Sequence, residues 1–160
     1  MRDRTLFLCR AANIAALYTA LTLLSHLFGL ANGVFQLRLS EALCVLPVFT
    51  AAAIPGLFVG CLLANLLCGG TLIDILLGAA ATLLGALGSR LLRKFPAAVP
   101  IPTVLANALC VPLILRFAGA SGASYWYLAA VIGAGEFLSA YVLGLMLRGA
   151  LRSREDIFFK

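Results

Sequence analysis

Four charged residues interrupt the apolar body of this chain: Arg38, Glu41, Asp74 and Glu136. On insertion scales each costs about 2.5–3.5 kcal/mol at the centre of a bilayer and less near its surface, so such groups face protein, water or a ligand. Arg38 and Glu41 are three residues apart, on one face of any helix that has begun by then, and Gln36 and Ser40 add hydrogen-bonding groups. Two readings follow: an intrahelical pair, or a Glu41 that meets a ligand. The second is preferred because these residues open a short, interrupted apolar hairpin. Glu136 lies in GAGEFLSAY, deep in the last apolar segment, with no basic residue within a helical turn. A carboxylate so placed needs hydrogen-bond donors or a cation, from a ligand or from a distant residue such as Arg38.

The other polar positions divide more evenly. Thr71-Leu72-Ile73-Asp74 has the spacing of a capping box, so Asp74 is read first as a helix cap and second as a ligand contact. Asn65 and Asn107, each inside an apolar segment, suit interhelical hydrogen bonding or a ligand equally. Trp126, between Tyr125 and Tyr127, suits an interfacial anchor or a lid stacked on a planar ligand. The lone His26 has no second histidine with which to hold a metal. Five cysteines form no CxxC pair and sit in or beside apolar runs, which suits small buried hydrophobes and implies no disulfide framework or metal site. No GxxxxGK[ST], HExxH or GxSxG motif is present, so catalytic residues, cofactors and metals are not expected and nucleotide hydrolysis would need another chain.

The elements that hold these residues follow from composition. With 63% hydrophobic and 11% charged residues in 160, and mean hydropathy +1.08, the chain has the bilayer as its solvent. Its apolar runs are continuous, which selects helices over an alternating barrel pattern. The expectation is an all-α integral membrane protein, one domain over residues 1–160. Six segments can be drawn, at about 5–28, 39–49, 55–68, 72–92, 101–117 and 125–147. The basic amino end resembles a signal peptide but is read as a retained first span. The second and third segments are too short for the ~20 residues of a straight crossing, and the stretch from Thr50 to Gly56 that joins them ends in Pro55 and Gly56, the first residues of the third. Ten of the twelve basic residues fall at the same ends of these segments; Arg38 and Arg116 are the other two. The positive-inside rule then puts both termini in the cytoplasm. This placement, with no basic patch interleaved with aromatics, excludes a nucleic-acid partner in spite of the net charge of +6. Ala12, Ala16 and Ala20, with Ala11 and Ala15 beside them, form a small-residue stripe on the first span, suited to its own helices or to a separate subunit.

The stretch QLRLSEALCVLPVFTAAAIPGLFVGCLLANLLCGGTLIDILLGAAATLLGA, residues 36–86, resembles the QueT family. These are substrate-binding membrane subunits (S components) of energy-coupling factor (ECF) transporters for queuosine precursors. The resemblance implies a six-helix bundle in a prokaryotic cell membrane that captures a deazaguanine base outside: queuine, or its cyano- or aminomethyl-bearing precursors. It implies partners too, a transmembrane coupling protein and two ATPases that drive toppling and inward release, with Ala12, Ala16 and Ala20 as docking positions. Glu41 and Glu136 would divide the base edge and the arm between them, in either order, with Arg38, Asn65, Asn107 and Gln36 supplying other contacts. Another vitamin-like ligand on the same scaffold, or a small intramembrane acid/base enzyme, are the alternatives.

Overall fold

The computed structural model describes residues 2–30, 36–117 and 122–153. Arg154 and Lys160, two of the ten basic residues on which the orientation rests, lie outside the described residues. Within them every regular element is helical: α1 (Arg2–Leu27), a 3-10 helix (Leu39–Val48), α2 (Ala53–Leu67), α3 (Leu72–Leu91), a single 3-10 turn (Pro96–Ala98), α4 (Ile101–Phe117), α5 (Tyr125–Glu136), a π-helical segment (Phe137–Leu143) and α6 (Gly144–Arg152). Four stretches are long and apolar enough to cross a membrane: 3–27, 72–91, 96–117 and 125–152. The 3-10 helix and α2 fall below that length. Exposed leucines and phenylalanines cover the outside of all the long helices, as a lipid-facing surface requires.

The second apolar segment, drawn as a short crossing, is a 3-10 helix ten residues long. At about 2.0 Å per residue it reaches some 20 Å, whereas an α-helix of that length would reach about 15 Å. Pro47 removes one amide donor from it, and the Arg90 guanidinium at the end of α3 donates to the Pro47 carbonyl at 2.7 Å. The segment descends antiparallel to α1: Ser40 meets Thr22, Glu41 meets Tyr18, and Leu43 and Leu46 join Ile14 in the core. The chain then turns, and α2 climbs parallel to α1.

That α1–α2 seam depends on missing side chains. A Cβ on Gly56 would stand 2.8 Å from the Ala11 carbonyl oxygen, and one on Gly60 would stand 2.9 Å from that of Ala15. In a bilayer, where lipid competes with apolar packing, such backbone approach is a main source of helix affinity. Thr19 adds a hydrogen bond to the Gly60 carbonyl at 3.1 Å. A second close seam joins α3 to α4, where Gly85 and Gly88 face Thr103 and Pro102.

The last apolar segment, drawn as one helix to residue 147, continues to Arg152 and is interrupted by the π-helical segment. The interruption begins beside Gly135, whose absent Cβ would fall 2.2 Å from the Gln36 carbonyl oxygen, and the Ser139 hydroxyl donates back to the Gly135 carbonyl at 3.0 Å. Such insertions in a helix concentrate at functional sites. Here it follows Glu136.

Candidate functional site

Two chain reversals build the rim of a cavity at one end of the bundle. α1 ends with Gly29 at φ 70°, the Leu30 amide donating to the Ser25 carbonyl and the Gly29 amide to that of His26. α2 ends the same way, with Gly69 at φ 76°, Gly70 donating to Asn65 and Gly69 to Leu66. Both are Schellman motifs, in which a left-handed residue lets the chain turn while satisfying the last carbonyls. α3 starts directly after the second one, with a complete capping box: the Thr71 amide donates to Asp74 Oδ2 at 2.8 Å and the Asp74 amide to Thr71 Oγ1 at 3.3 Å. Asn65 ties the turn together by donating to the Asp74 carbonyl at 3.2 Å.

Between these turns lies a cavity of about 190 Å³. Gln36, Arg38, Asn65 and Asp74 line it, together with Thr22 and His26. Drug-sized sites measure about 300–1,000 Å³, so this one suits a small ligand. Asp74 therefore caps α3, as its spacing predicts, and also stands on the cavity wall. Asn65 likewise is interhelical glue and lining at once. His26 is part of the wall as well.

Glu41, Asn107 and Glu136 do not line the cavity. They form a buried layer under it, at 1%, 5% and 4% exposure. The Tyr18 hydroxyl donates to Glu41 Oε1 at 2.5 Å, so tyrosine and not Arg38 supplies the short bond to this carboxylate. The Asn107 amide lies against both carboxylates. Arg38, on the cavity wall, is close enough to Tyr18, Glu41 and Glu136 to act on each electrostatically. It thus joins the open cavity to the closed layer. The start of the 3-10 helix is fixed over this layer by α1: Thr22 and Ser40 pair their hydroxyls at 2.7 Å, and Ser25 Oγ accepts from the Leu39 amide at 3.0 Å.

Tyr18, Thr22 and Ser25 are the polar positions around this layer that charge-based reading passes over. They are spaced four and three apart, so they share one face of α1. A tyrosine hydroxyl in mid-membrane must find a partner, and that requirement was the available signal. Trp126 stands apart from the cavity: it is 75% exposed and meets Tyr125 edge-on, with ring centroids 5.1 Å apart. Ala12, Ala16 and Ala20 are exposed along α1, whereas Ala15 is buried against α2.

The opposite end of the bundle gathers basic residues. Arg10 shares a groove with Leu147 and Leu151 of α6, so the first and last described helices start and finish at the same end. All five cysteines are free, and among the described residues no cluster of His, Cys, Asp or Glu could hold a metal ion.

Long lipid-facing helices around a small polar cavity, floored by buried acids, define a helical membrane protein built to hold a small solute. The family model of the QueT transporter matches residues 8–153, nearly the whole chain, and the chain belongs to that family. Its role is accordingly transport rather than catalysis. No curated protein and no solved structure matches it.

Proposed function

We propose that this chain is the S component of an ECF-type importer that captures queuosine precursors, 7-deazaguanine bases, outside the cell and releases them inward. The observation that carries this reading is the buried set Tyr18, Glu41, Asn107 and Glu136 beneath a cavity of about 190 Å³. A guanine-like edge presents adjacent N–H donors that one carboxylate accepts together, and a carbonyl that an amide or guanidinium can satisfy. Glu41 is oriented for the first task by Tyr18, and Arg38 and Gln36 are at hand for the second. In this reading the 3-10 helix and α2 complete six spans. The basic ends face the cytoplasm of a prokaryotic cell, and the cavity opens outward. Ala12, Ala16 and Ala20 dock on the coupling protein, and two ATPases supply the energy.

The test is calorimetry on the purified chain with queuine and with the cyano- and aminomethyl-deazaguanines. Binding is expected, and Glu41→Gln should weaken it about tenfold or more, since a hydrogen bond to a charged group is lost. No heat with any of the three bases would sink the proposal.

A further inference from the structure

α3 carries three glycines, Gly78, Gly85 and Gly88, and their surroundings differ. A Cβ on Gly85 or Gly88 would run into α4, against Thr103 or Pro102. A Cβ on Gly78 would meet a single atom within 4 Å among the described residues beyond its own helix backbone: the Asn65 side-chain nitrogen, at 2.8 Å. The space around it belongs to the cavity, which Gly78 lines together with Asp74, four residues earlier on the same face of α3. A glycine inside a helix lowers its stability relative to alanine. The close seam with α4 accounts for Gly85 and Gly88. At Gly78 the fold offers only the tip of one amide.

That amide is fastened in place. Its nitrogen donates to the Asp74 carbonyl at 3.2 Å and to Cys61 Sγ at 3.6 Å. The same sulfur accepts from the Thr82 hydroxyl at 3.3 Å, and Thr82, one turn after Gly78, also donates to the Gly78 carbonyl at 3.1 Å. α2 and α3 are thus tied together on both sides of Gly78, while the glycine itself leaves bare backbone on the cavity wall. Glycine serves where a ligand must come close to backbone. We propose that the captured molecule lies against the α3 backbone at Gly78, and that this residue sets the size limit of the site. The space that a methyl group would take there is space the ligand fills. The inference rests on the reading of this cavity as the capture site, and adds to it the surface that decides what fits.

The experiment measures ligand-free melting temperature and affinity for queuine and for the cyano- and aminomethyl-deazaguanines, on the full chain in lipid nanodiscs. Gly78→Ala should weaken binding of all three by about tenfold or more, because a methyl group overfills the occupied site. The same change is then made in an Asn65→Ala background, where the new methyl meets no other described side chain. There it should leave the melting temperature equal or higher, since alanine favours the helix, and still weaken binding about tenfold or more relative to Asn65→Ala alone. This second pair decides the matter even where Gly78→Ala by itself disturbs the fold through Asn65. Undiminished affinity in that background would mean that Gly78 only makes room for Asn65, and a fall in melting temperature alongside binding would mean that it packs the bundle. Either result overturns the size limit and leaves the deazaguanine site standing. Failure of the wild-type chain to bind any of the three bases overturns the site and the limit together.

Discussion

α1 shows the bundle and the membrane two faces built on the same helical period. One carries Tyr18, Thr22 and Ser25, and each hydroxyl there is engaged with the 3-10 segment: Glu41, Ser40 and the Leu39 amide in turn. The other carries Ala12, Ala16 and Ala20 and is exposed. Between them, Ala11 and Ala15 receive Gly56 and Gly60 of α2. A small membrane protein assigns its surfaces by what each helix face can bond or approach. Lipid is as apolar as leucine, so burying hydrocarbon does little to tell one helix face from another. Hydrogen bonds and close backbone approach do that instead. The polar face is occupied within the fold, the seam is occupied by α2, and the outward alanines have the shape of a seam with none of the described residues seated on it.

The seam gives the largest expected effect. Gly60→Leu would drive a side chain into the Ala15 backbone and the Tyr18 Cβ, both 2.9 Å from the glycine's missing Cβ. A flexible neighbour could yield, but a helix backbone cannot without moving α1. Overpacking of this kind costs about 1–3 kcal/mol or more. Because α1 also carries the hydroxyl face, the variant should lose thermal stability and ligand binding together, read by fluorescence-detected size exclusion after heating. A variant that melts with the wild type would show that α1 and α2 are not held by backbone approach.

Next comes the polar face itself. Tyr18→Phe removes the donor to Glu41 and leaves a buried carboxylate short of a partner, a change worth about 1.5–3 kcal/mol. If Tyr18 serves to orient Glu41 toward a ligand, binding should fall about tenfold or more while the bundle remains assembled. If binding persists and only the melting temperature drops, the hydroxyl face is structural support and the comparison between the two faces of α1 loses its functional side.

Much of this arrangement is legible in the residues alone, and the boundary of what is legible has a physical origin. Charge in an apolar chain is conspicuous, so Arg38, Glu41, Asp74 and Glu136 declare themselves by their cost. The capping box at Thr71 and Asp74 is local, and local hydrogen bonding is what spacing encodes. The shortness of segments 39–49 and 55–68 is also plain from length. Their form is not. A ten-residue 3-10 helix and a π-helical segment are settled by distant partners: Arg90 on the Pro47 carbonyl in one case, Gln36 against Gly135 in the other. Tyr18, Thr22 and Ser25 escape notice for a related reason. Single hydroxyls cost little in an apolar run, and their importance lies in what they meet across the bundle. The division of site residues into an open wall and a closed floor is tertiary in the same sense, since Glu41 and Arg38 are close in the chain yet lie in different layers.

The outward face gives the smallest expected effect on the isolated protein. Ala16→Trp places a large ring on an exposed position of α1, where lipid can move aside. The Ala15 seam and the Tyr18–Glu41 bond point elsewhere on the helix, so thermal stability and deazaguanine affinity should match the wild type. Assembly is where the variant should differ. If the alanine face receives the coupling protein, close approach of two helices there cannot survive an indole, and co-purification of the complete importer should be lost while ligand binding by the free chain persists. Loss of both would mean that Ala16 supports the fold, and retention of both would leave the outward face as plain lipid contact. Only the split result separates a docking surface from a packing one, because it requires the two faces of α1 to fail independently.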